Sequence, residues 1–253
     1  MLNFAIETAR EAGQLLLEKF GRGVAISKKG AIDLVTEADI ASEALILERI
    51  RSHYPKHSIL AEESGESVVI GDSAWKWIID PLDGTTNFAH GYPCFAVTLA
   101  LESSGEVAVG VTFDPTRNEL FAAERGRGAS LNNKPIRVSA TEELSEALIV
   151  TGFPYNFKER PDFGRHLTQF LLESRGVRRD GSAAIDLAYV ACGRYDGMWE
   201  EGLNAWDVAA GVLLVEEAGG QVTRYDQSKF SIYEPPLLAT NGRIHGQMAS
   251  VLA

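Results

Sequence analysis

The spacing of apolar residues changes twice along the chain, and these changes constrain the fold more than any other feature of the sequence. Between Leu2 and Phe20 the apolar residues recur at intervals of four and three, which predicts an amphipathic helix that stops at Gly21. A second helix is predicted to begin near Thr36 and to end before Pro55. Its predicted apolar face consists of Ile40, Ala44, Leu47 and Ile50.

From Ser58 onward the apolar runs become short and are bounded by Gly, Pro, Ser and Asp, which is typical of strands. The runs before Ser139 cover residues 59–61, 75–79, 95–101, 107–113 and 120–123. Turn-forming residues at 102–105 and at 132–133 predict hairpins between neighbouring runs. This middle section is therefore predicted to be mostly antiparallel sheet.

After about Ser139, predicted strands and helices alternate, as in α/β structures. The predicted strands are 147–151, 221–224 and 237–239, and the predicted helices are 163–173, 183–191 and 206–218. The sequence thus predicts an α+β chain with an N-terminal α+β half (1–138) and a C-terminal α/β half (139–253). Because no Pro- or Ser-rich linker separates the halves, we expect one integrated fold.

The charge and the cysteines narrow the class of protein. With 24 Lys and Arg against 35 Asp and Glu, the formal charge of −11 would repel a nucleic-acid backbone, so no direct nucleic-acid partner is expected. The surplus carboxylates either form a solvated acidic surface or supply ligands for hard divalent cations. Cys94 and Cys192 form no C-x-x-C pair, which indicates free thiols in a reducing cytosol.

The N-terminal segment does not have the pattern of a signal peptide or a membrane span. Charged residues such as Glu7, Arg10 and Glu18 interrupt its apolar residues. No later run approaches the ~20 apolar residues that a membrane helix needs. We therefore expect a cytoplasmic protein without a membrane partner.

The strand predicted at 75–79 continues directly into two carboxylates, Asp80 and Asp83, separated by Pro81 and Leu82. The small residues that follow, 84–86, could open a helix whose backbone N–H groups hold an anion. Because D-P and D-G are also common turn dipeptides, a plain turn explains this segment equally well when it is taken alone.

Other acids lie at predicted element ends: Glu62 and Glu63 follow a strand, Asp33 and Asp39 flank the start of the second helix, and Asp207 lies at the head of a later helix. Favourable helix caps would explain the helix acids singly. If the acids converged, each pair at ~4 Å would repel by about 4 kcal/mol at an effective dielectric constant of ~20, so a cation would be required. An all-oxygen set without His or Cys partners favours Mg²⁺ over zinc.

Two signatures give the sequence a family resemblance. Residues 77–90 resemble the first signature of the inositol monophosphatase family, in the form D-P-L-D-G-T-T-N-F, and residues 206–211 match its second, W-D-x-A-x-G. Three further stretches agree in order and spacing: 33–39, 61–64, and 181–184 with 193–197. The resemblance covers the whole chain.

The resemblance implies a five-layer αβαβα sandwich, a homodimer, and a lithium-sensitive phosphatase with two or three Mg²⁺ ions. It implies that a metal-activated water hydrolyses a small phosphate monoester. The implied metal ligands are Glu62, Asp80, Asp83, Asp207 and the backbone carbonyl of Leu82. The implied catalytic residues are Thr85 and Asp39, which orient and deprotonate the water alongside Glu62.

The resemblance also implies the substrate contacts. The backbone N–H groups of Gly84 and Thr85 would hold the phosphate, and Glu200, Ala183 and Asp207 would bind the alcohol part of the substrate. Glu200 and Glu201 could instead be solvated loop acids. Arg178 and Arg179 could touch a second anionic group or lie exposed on the surface, and the segment between Phe153 and Arg175, which would form a lid, is shorter than in many relatives.

Three functions remain open on the sequence alone. The first is hydrolysis of myo-inositol monophosphate. The second is the same chemistry on histidinol phosphate, fructose 1,6-bisphosphate or an adenosine 3′,5′-bisphosphate, since related families share the same metal residues. The third is a regulatory role through a protein partner, as in some bacterial relatives.

Overall fold

The computed structural model describes residues 1–21, 26–28, 34–67, 74–153 and 162–253. The helices are α1 Leu2–Lys19, α2 Glu37–His53, α3 Thr85–Ala89, α4 Phe163–Glu173, α5 Ala183–Ala191, α6 Ala205–Glu217 and α7 His245–Leu252. The strands are β1 Ile26–Lys28, β2 Leu34–Thr36, β3 Ser58–Ala61, β4 Gly65–Ser67, β5 Trp75–Asp83, β6 Ala96–Ser103, β7 Glu106–Asp114, β8 Glu119–Glu124, β9 Ala129–Leu131, β10 Lys134–Pro135, β11 Leu148–Thr151, β12 Gly176–Arg178, β13 Gly197–Glu200, β14 Gln221–Thr223 and β15 Leu237–Thr240.

The first sheet has eight strands in the order β10-β9-β8-β7-β6-β5-β3-β4. Every pair is antiparallel except β3 and β5, which run parallel. The predicted antiparallel character of this section is therefore confirmed. Because β3 and β5 are parallel neighbours, the residues that follow them, including Glu62, emerge at the same edge of the sheet.

Helices α1 and α2 cover one face of this sheet, where Leu16, Ile46 and Trp77 are fully buried. The side chain of Ile40 on α2 is 59% exposed and Ala44 is also exposed, so the predicted apolar face of this helix is wrong at these positions. Leu47 and Ile50 are buried as predicted. Relative to the predicted orientation, α2 is rotated about its axis, because polar residues on its inner face have partners at the sheet edge. A prediction from apolar positions alone does not include these contacts.

Helices α5 and α6 form the middle layer, with the first sheet on one side and the second on the other. Small residues allow this layer to approach the sheets closely. A Cβ atom at Gly110 on β7 would lie 2.8 Å from the backbone oxygen of Ala210 on α6. The distance between the first sheet and the middle layer thus depends on glycine and alanine at the contact.

The second sheet has the order β12-β11-β13-β15-β14, with β11 parallel to both of its neighbours and the remaining pairs antiparallel. Helices α4 and α7 cover its outer face, where Phe170 and Trp199 are fully buried and pack with ring centroids 4.1 Å apart. The five layers αβαβα are therefore confirmed. The division of the chain at 138/139 stays a prediction.

The sequence predicts α4 and α5 at their observed bounds but misses β13 and α7. Cys94 and Cys192 are free thiols. Among the described residues, no helix is both long enough and apolar enough to cross a membrane.

Candidate active site

Three acids from distant parts of the sequence meet at the edge of the first sheet. Asp80 and Asp83 lie at the end of β5, and Asp207 is in the first turn of α6. One carboxylate oxygen of each lies within 4.8 Å of those of the other two. The sequence could not establish this convergence, which is the central observation at the site.

A β-bulge lets β5 supply two of these acids. Asp80 pairs with Thr98 and Asp83 pairs with Ala96, so three residue steps on β5 match two on β6. In a regular strand, residues three apart point to opposite faces, and one extra residue removes this difference. The Leu82 N–H donates to Asp80 Oδ1 (3.0 Å), which stabilises the irregular backbone.

Asp83 is tied to the middle layer. Its Oδ2 accepts hydrogen bonds from Ser182 Oγ (2.5 Å) and from the Ala184 N–H (2.8 Å) at the start of α5. These bonds favour the charged form, but burial outweighs them and raises the pKa of Asp83 to about 6. The same contacts fix the position of α5 relative to β5.

Burial, followed by the charges of Glu62, Asp83 and Asp207, raises the pKa of Asp80 well above its ordinary value. The pKa of Asp207 is also raised well above it, mainly by burial and by Asp83, although the Asn204 N–H donates to Asp207 Oδ2 (2.6 Å). The acids therefore repel one another in a poorly hydrated place. A cation would relieve this repulsion, and an all-oxygen donor set fits a hard divalent metal ion.

Glu62 follows β3 and lines the same cavity as the three acids. It lies outside the three-acid group but forms a hydrogen bond with Asp80 that contributes to the raised pKa there. The structure therefore brings to one cavity the four carboxylates that the resemblance implies as metal ligands.

Thr85 and Asp39 form a direct pair beside the acids. Thr85 Oγ1 lies within hydrogen-bond distance of two acceptors, Asp39 Oδ1 (3.0 Å) and the Leu82 carbonyl (3.1 Å). The other oxygen of Asp39 accepts from the Thr36 N–H (2.8 Å) and from Thr36 Oγ1 (2.6 Å), which caps α2. Burial nevertheless raises the pKa of Asp39. The cap and the contact with Thr85 thus use opposite oxygens of one carboxylate.

Gly84 is the residue immediately before the short helix α3, and its position does not accommodate a side chain. Its φ is +94°, a region that L-residues with side chains rarely adopt, and a Cβ atom there would lie 2.9 Å from the Cys94 carbonyl oxygen. Gly84 and Thr85 both line the cavity. The backbone of α3 can therefore reach a ligand held there.

Ala183 and Glu200 also line the cavity, whose volume is about 330 Å³. Glu200 ends β13 and is only 9% exposed, so the alternative that it is a solvated loop acid is wrong. Burial, with the charge of Asp83, raises the pKa of Glu200 to about 8. Its Oε2 is buried and has no hydrogen-bond partner within the described part of the protein, which is unusual for a buried polar atom.

Arg179 also lines the cavity, and its guanidinium lies 5.2 Å from the centroid of the Phe153 ring. Arg178 is exposed and donates to the Val177 carbonyl. Asp33, together with residues 154–161 of the expected lid, lies outside the described residues.

The sequence reasoning did not single out two residues that contribute to the site. Asn87 Nδ2 donates to the carbonyls of Cys94 and Asp180 (both 2.8 Å) and so joins α3 to the segment before α5. Asp186 is buried on α5 and lines the cavity. A single acid inside the apolar run of α5 was the sequence signal that could have identified it.

The fold and the site together define a class of protein. A solved inositol monophosphatase from Anabaena (Nostoc) superposes with a TM-score of 0.89 at 48% identity, over 99% of this chain and 94% of that one. A match of this extent, with the acid cluster described above, identifies the protein as a phosphoric monoester hydrolase.

Comparisons of sequence give the family. The inositol monophosphatase family model matches residues 1–253. An inositol-1-monophosphatase of Synechocystis sp. is 48% identical over 100% of this chain and 88% of its own length. The Nus factor SuhB of Pseudomonas aeruginosa is 44% identical over 95% of this chain and 91% of its own length. The chain belongs to the inositol monophosphatase family.

Proposed function

We propose that the protein is a Mg²⁺-dependent phosphatase that hydrolyses myo-inositol monophosphate to inositol and phosphate. The observation that carries this proposal is the meeting of Asp80, Asp83 and Asp207 beside the Thr85–Asp39 pair. In this proposal Glu62 and the Leu82 carbonyl complete the ligand set for two or three ions. Bound Mg²⁺ would supply Lewis-acid chemistry, which neutralises phosphoryl charge and lowers the pKa of the attacking water.

In this proposal the residues of the chain position the attacking water and the phosphate, and they provide a route for the proton that the water loses. The Thr85 hydroxyl is already oriented by a carboxylate, so it can accept a proton from the water while it passes its own to Asp39 Oδ1. The raised pKa of Asp39 suits it to receive that proton. In this proposal Glu62 assists Thr85 and Asp39 as a second base. Backbone N–H groups of Gly84 and Thr85 hold the phosphate.

The alcohol part of the substrate occupies the wall formed by Ala183, Glu200 and Asp207. Glu200 offers an acceptor for a hydroxyl hydrogen, which suits a polyol better than a second phosphate group. This feature favours inositol monophosphate over fructose 1,6-bisphosphate or an adenosine 3′,5′-bisphosphate. Histidinol phosphate, with its ammonium and imidazole groups, remains the alternative that a carboxylate could also accommodate.

Phosphate release from inositol 1-phosphate, measured with Mg²⁺ and with EDTA, tests the proposed activity. Equal release with the chelator would refute it. A panel of the four substrates with wild type and Glu200→Ala, which has no acceptor at this position, tests the specificity. The variant should lose kcat/KM for inositol 1-phosphate by about tenfold, the cost of one hydrogen bond. An equal loss of kcat/KM on all four substrates would contradict a role for Glu200 in distinguishing the substrates.

A second candidate is a regulatory role, because a relative at 44% identity bears the name Nus factor SuhB. We also propose, as part of the phosphatase assignment, that the protein is a homodimer, is inhibited by lithium and is located in the cytoplasm. Affinity capture from cell extract with wild type and with Asp83→Asn separates the roles, since a regulatory partner should bind both forms equally. Light scattering gives the oligomeric state.

A further inference from the structure

The inner face of α2 carries polar residues that reach three separate parts of the site. Asp39 contacts Thr85, as described above. The next inward-facing residues along the helix, Ser42 and Glu43, are also buried, with exposures of 0% and 4%. Burying a carboxylate is unfavourable unless it has hydrogen-bond partners, so the contacts of Glu43 require an explanation.

Glu43 binds the backbone immediately after Glu62. The ladder between β3 and β5 ends at Ala61 and Ile79, and the Glu62 N–H makes a long bond of 3.3 Å to the Ile79 carbonyl. The following amide, Glu63 N–H, is beyond this ladder and donates to Glu43 Oε2 (2.9 Å). Glu43 thus holds the peptide unit that joins Glu62 to Glu63.

Ser42 makes the corresponding contact on the neighbouring strand. Its Oγ donates to the Pro81 carbonyl (2.8 Å), inside the bulge between Asp80 and Asp83. The proline has no N–H of its own to anchor this segment, so its carbonyl is the group that a neighbour can hold. Adjacent residues of one rigid helix therefore fix the backbones that carry Glu62 and the β5 acids.

We propose that Glu43 is a positioning residue for Glu62: it fixes the backbone at 62–63 so that the Glu62 carboxylate faces the acids of β5 before any cation binds. This inference rests on the proposed function, because Glu62 is a metal ligand and a base only in that proposal. Without the bond, the turn between β3 and β4 would lose its contact with α2 at the Glu63 amide, and the Glu62 carboxylate would be positioned less firmly before a cation binds.

Two substitutions of similar size separate the hydrogen bond from packing. Glu43→Gln keeps an acceptor oxygen, whereas Glu43→Met fills the space without one. Glu48→Gln, on the exposed side of the same helix, is the matched control. The measurements are hydrogen exchange of the Glu63 amide by NMR without metal, Mg²⁺ binding by calorimetry, and Mg²⁺-dependent release of phosphate from inositol 1-phosphate.

We expect Glu43→Met to weaken Mg²⁺ binding by about 10-fold or more, the range found when a residue that orients a metal ligand is lost. Exchange of the Glu63 amide should accelerate by about tenfold as its hydrogen bond disappears. For Glu43→Gln, the Mg²⁺ affinity and the exchange rate of the Glu63 amide should stay within about threefold of wild type, because the bond is kept. Glu48→Gln should have the wild-type values, because it leaves Glu43 unchanged.

Equal Mg²⁺ affinity in the Met and Gln variants, with both folded by circular dichroism, would overturn the proposal. If the Met variant fails to fold, wild type and the Gln variant still test the proposal. A Glu63 amide that is not protected from hydrogen exchange in either protein would overturn it. A wild-type protein that neither binds Mg²⁺ nor hydrolyses the ester would instead refute the proposed function. Protection of the Glu63 amide would then still report whether Glu43 holds the backbone.

Discussion

Removing one charge from the acid cluster should stabilise the metal-free protein while it abolishes the activity. The substitution is Asp80→Asn. The amide has the same shape as the carboxyl group and keeps an oxygen to accept the Leu82 N–H. It removes the charge that Asp83 and Asp207 repel. The perturbation therefore changes the electrostatics of the site with little change in packing.

The spacing of the acids gives the magnitude. Two unit charges 4.8 Å apart, the upper limit within the cluster, repel by about 3.5 kcal/mol at an effective dielectric constant of ~20. The raised pKa values of Asp80 and Asp207 favour their protonated forms, which repel less, so the whole of this energy is not recovered. We expect a gain of about 2 kcal/mol in the free energy of unfolding, or a rise in Tm of about 4–8 °C for a chain of this size.

The sign of the pH dependence follows from the same shifts. A carboxyl group whose pKa is raised in the folded state binds more protons there than in the unfolded chain. The free energy of unfolding of the metal-free protein therefore falls as pH rises from about 4 through the folded pKa values, that of Asp83 being about 6. Asp80→Asn should flatten this decline, because one contributor is gone and the others repel less.

Differential scanning calorimetry in EDTA, at several pH values, measures both effects. Addition of Mg²⁺ should raise the Tm of wild type strongly and that of the variant weakly, which links the gain to the lost cation site. A Tm for Asp80→Asn at or below that of wild type in EDTA would refute the reasoning, since it would show that the acids do not repel one another in the folded protein.

The remaining predictions concern single contacts. Thr85→Val should lower kcat by about 100-fold or more with Mg²⁺ affinity unchanged, because the proton route to Asp39 is lost; an unchanged kcat would exclude that route. Gly84→Ala should lower the free energy of unfolding by about 2 kcal/mol in a denaturant titration, owing to its positive φ, whereas Gly246→Ala on α7, a control with open space, should not destabilise. Burial lowers the pKa of His245 to about 4, so protonation of this histidine opposes folding. The free energy of unfolding should therefore fall by about 3 kcal/mol as pH falls from ~6.5 toward 4. The difference in stability between wild type and His245→Gln should change with pH in that window, and a constant difference would contradict the shift.

The sequence predicted the elements whose signal is local. Helices α4 and α5 have apolar periodicity and clear ends, so their bounds agree with the prediction. Strand β13 was missed because its four residues carry little signal of their own and exist by pairing with β11 and β15. The orientation of α2 was wrong in part because its inward polar residues are satisfied by backbone groups distant in sequence.

The site also combines features that local sequence patterns predict with features that depend on contacts between distant residues. The motif indicated that Asp80 and Asp83 lie at a strand end, but only the bulge in β5 explains how they share a side. Glu43 could not be identified from the sequence, because its partner is a backbone amide and carries no side-chain signature. The meeting of Asp207 with the β5 acids depends on the middle layer, which no local pattern describes.

The position of Asp207 on α6 also determines when the acid cluster can first exist. A ribosome adding about 5–20 residues per second needs about 6–25 s to travel from Asp83 to Asp207, and the second sheet is finished only after β15 is made. Throughout that interval the nascent chain carries Glu62, Asp80 and Asp83 without their fourth carboxylate. A chain released early by a stop codon before α6 would therefore have most of the acids but no complete site, and a growing polypeptide completes the acid cluster only after α6 has been made.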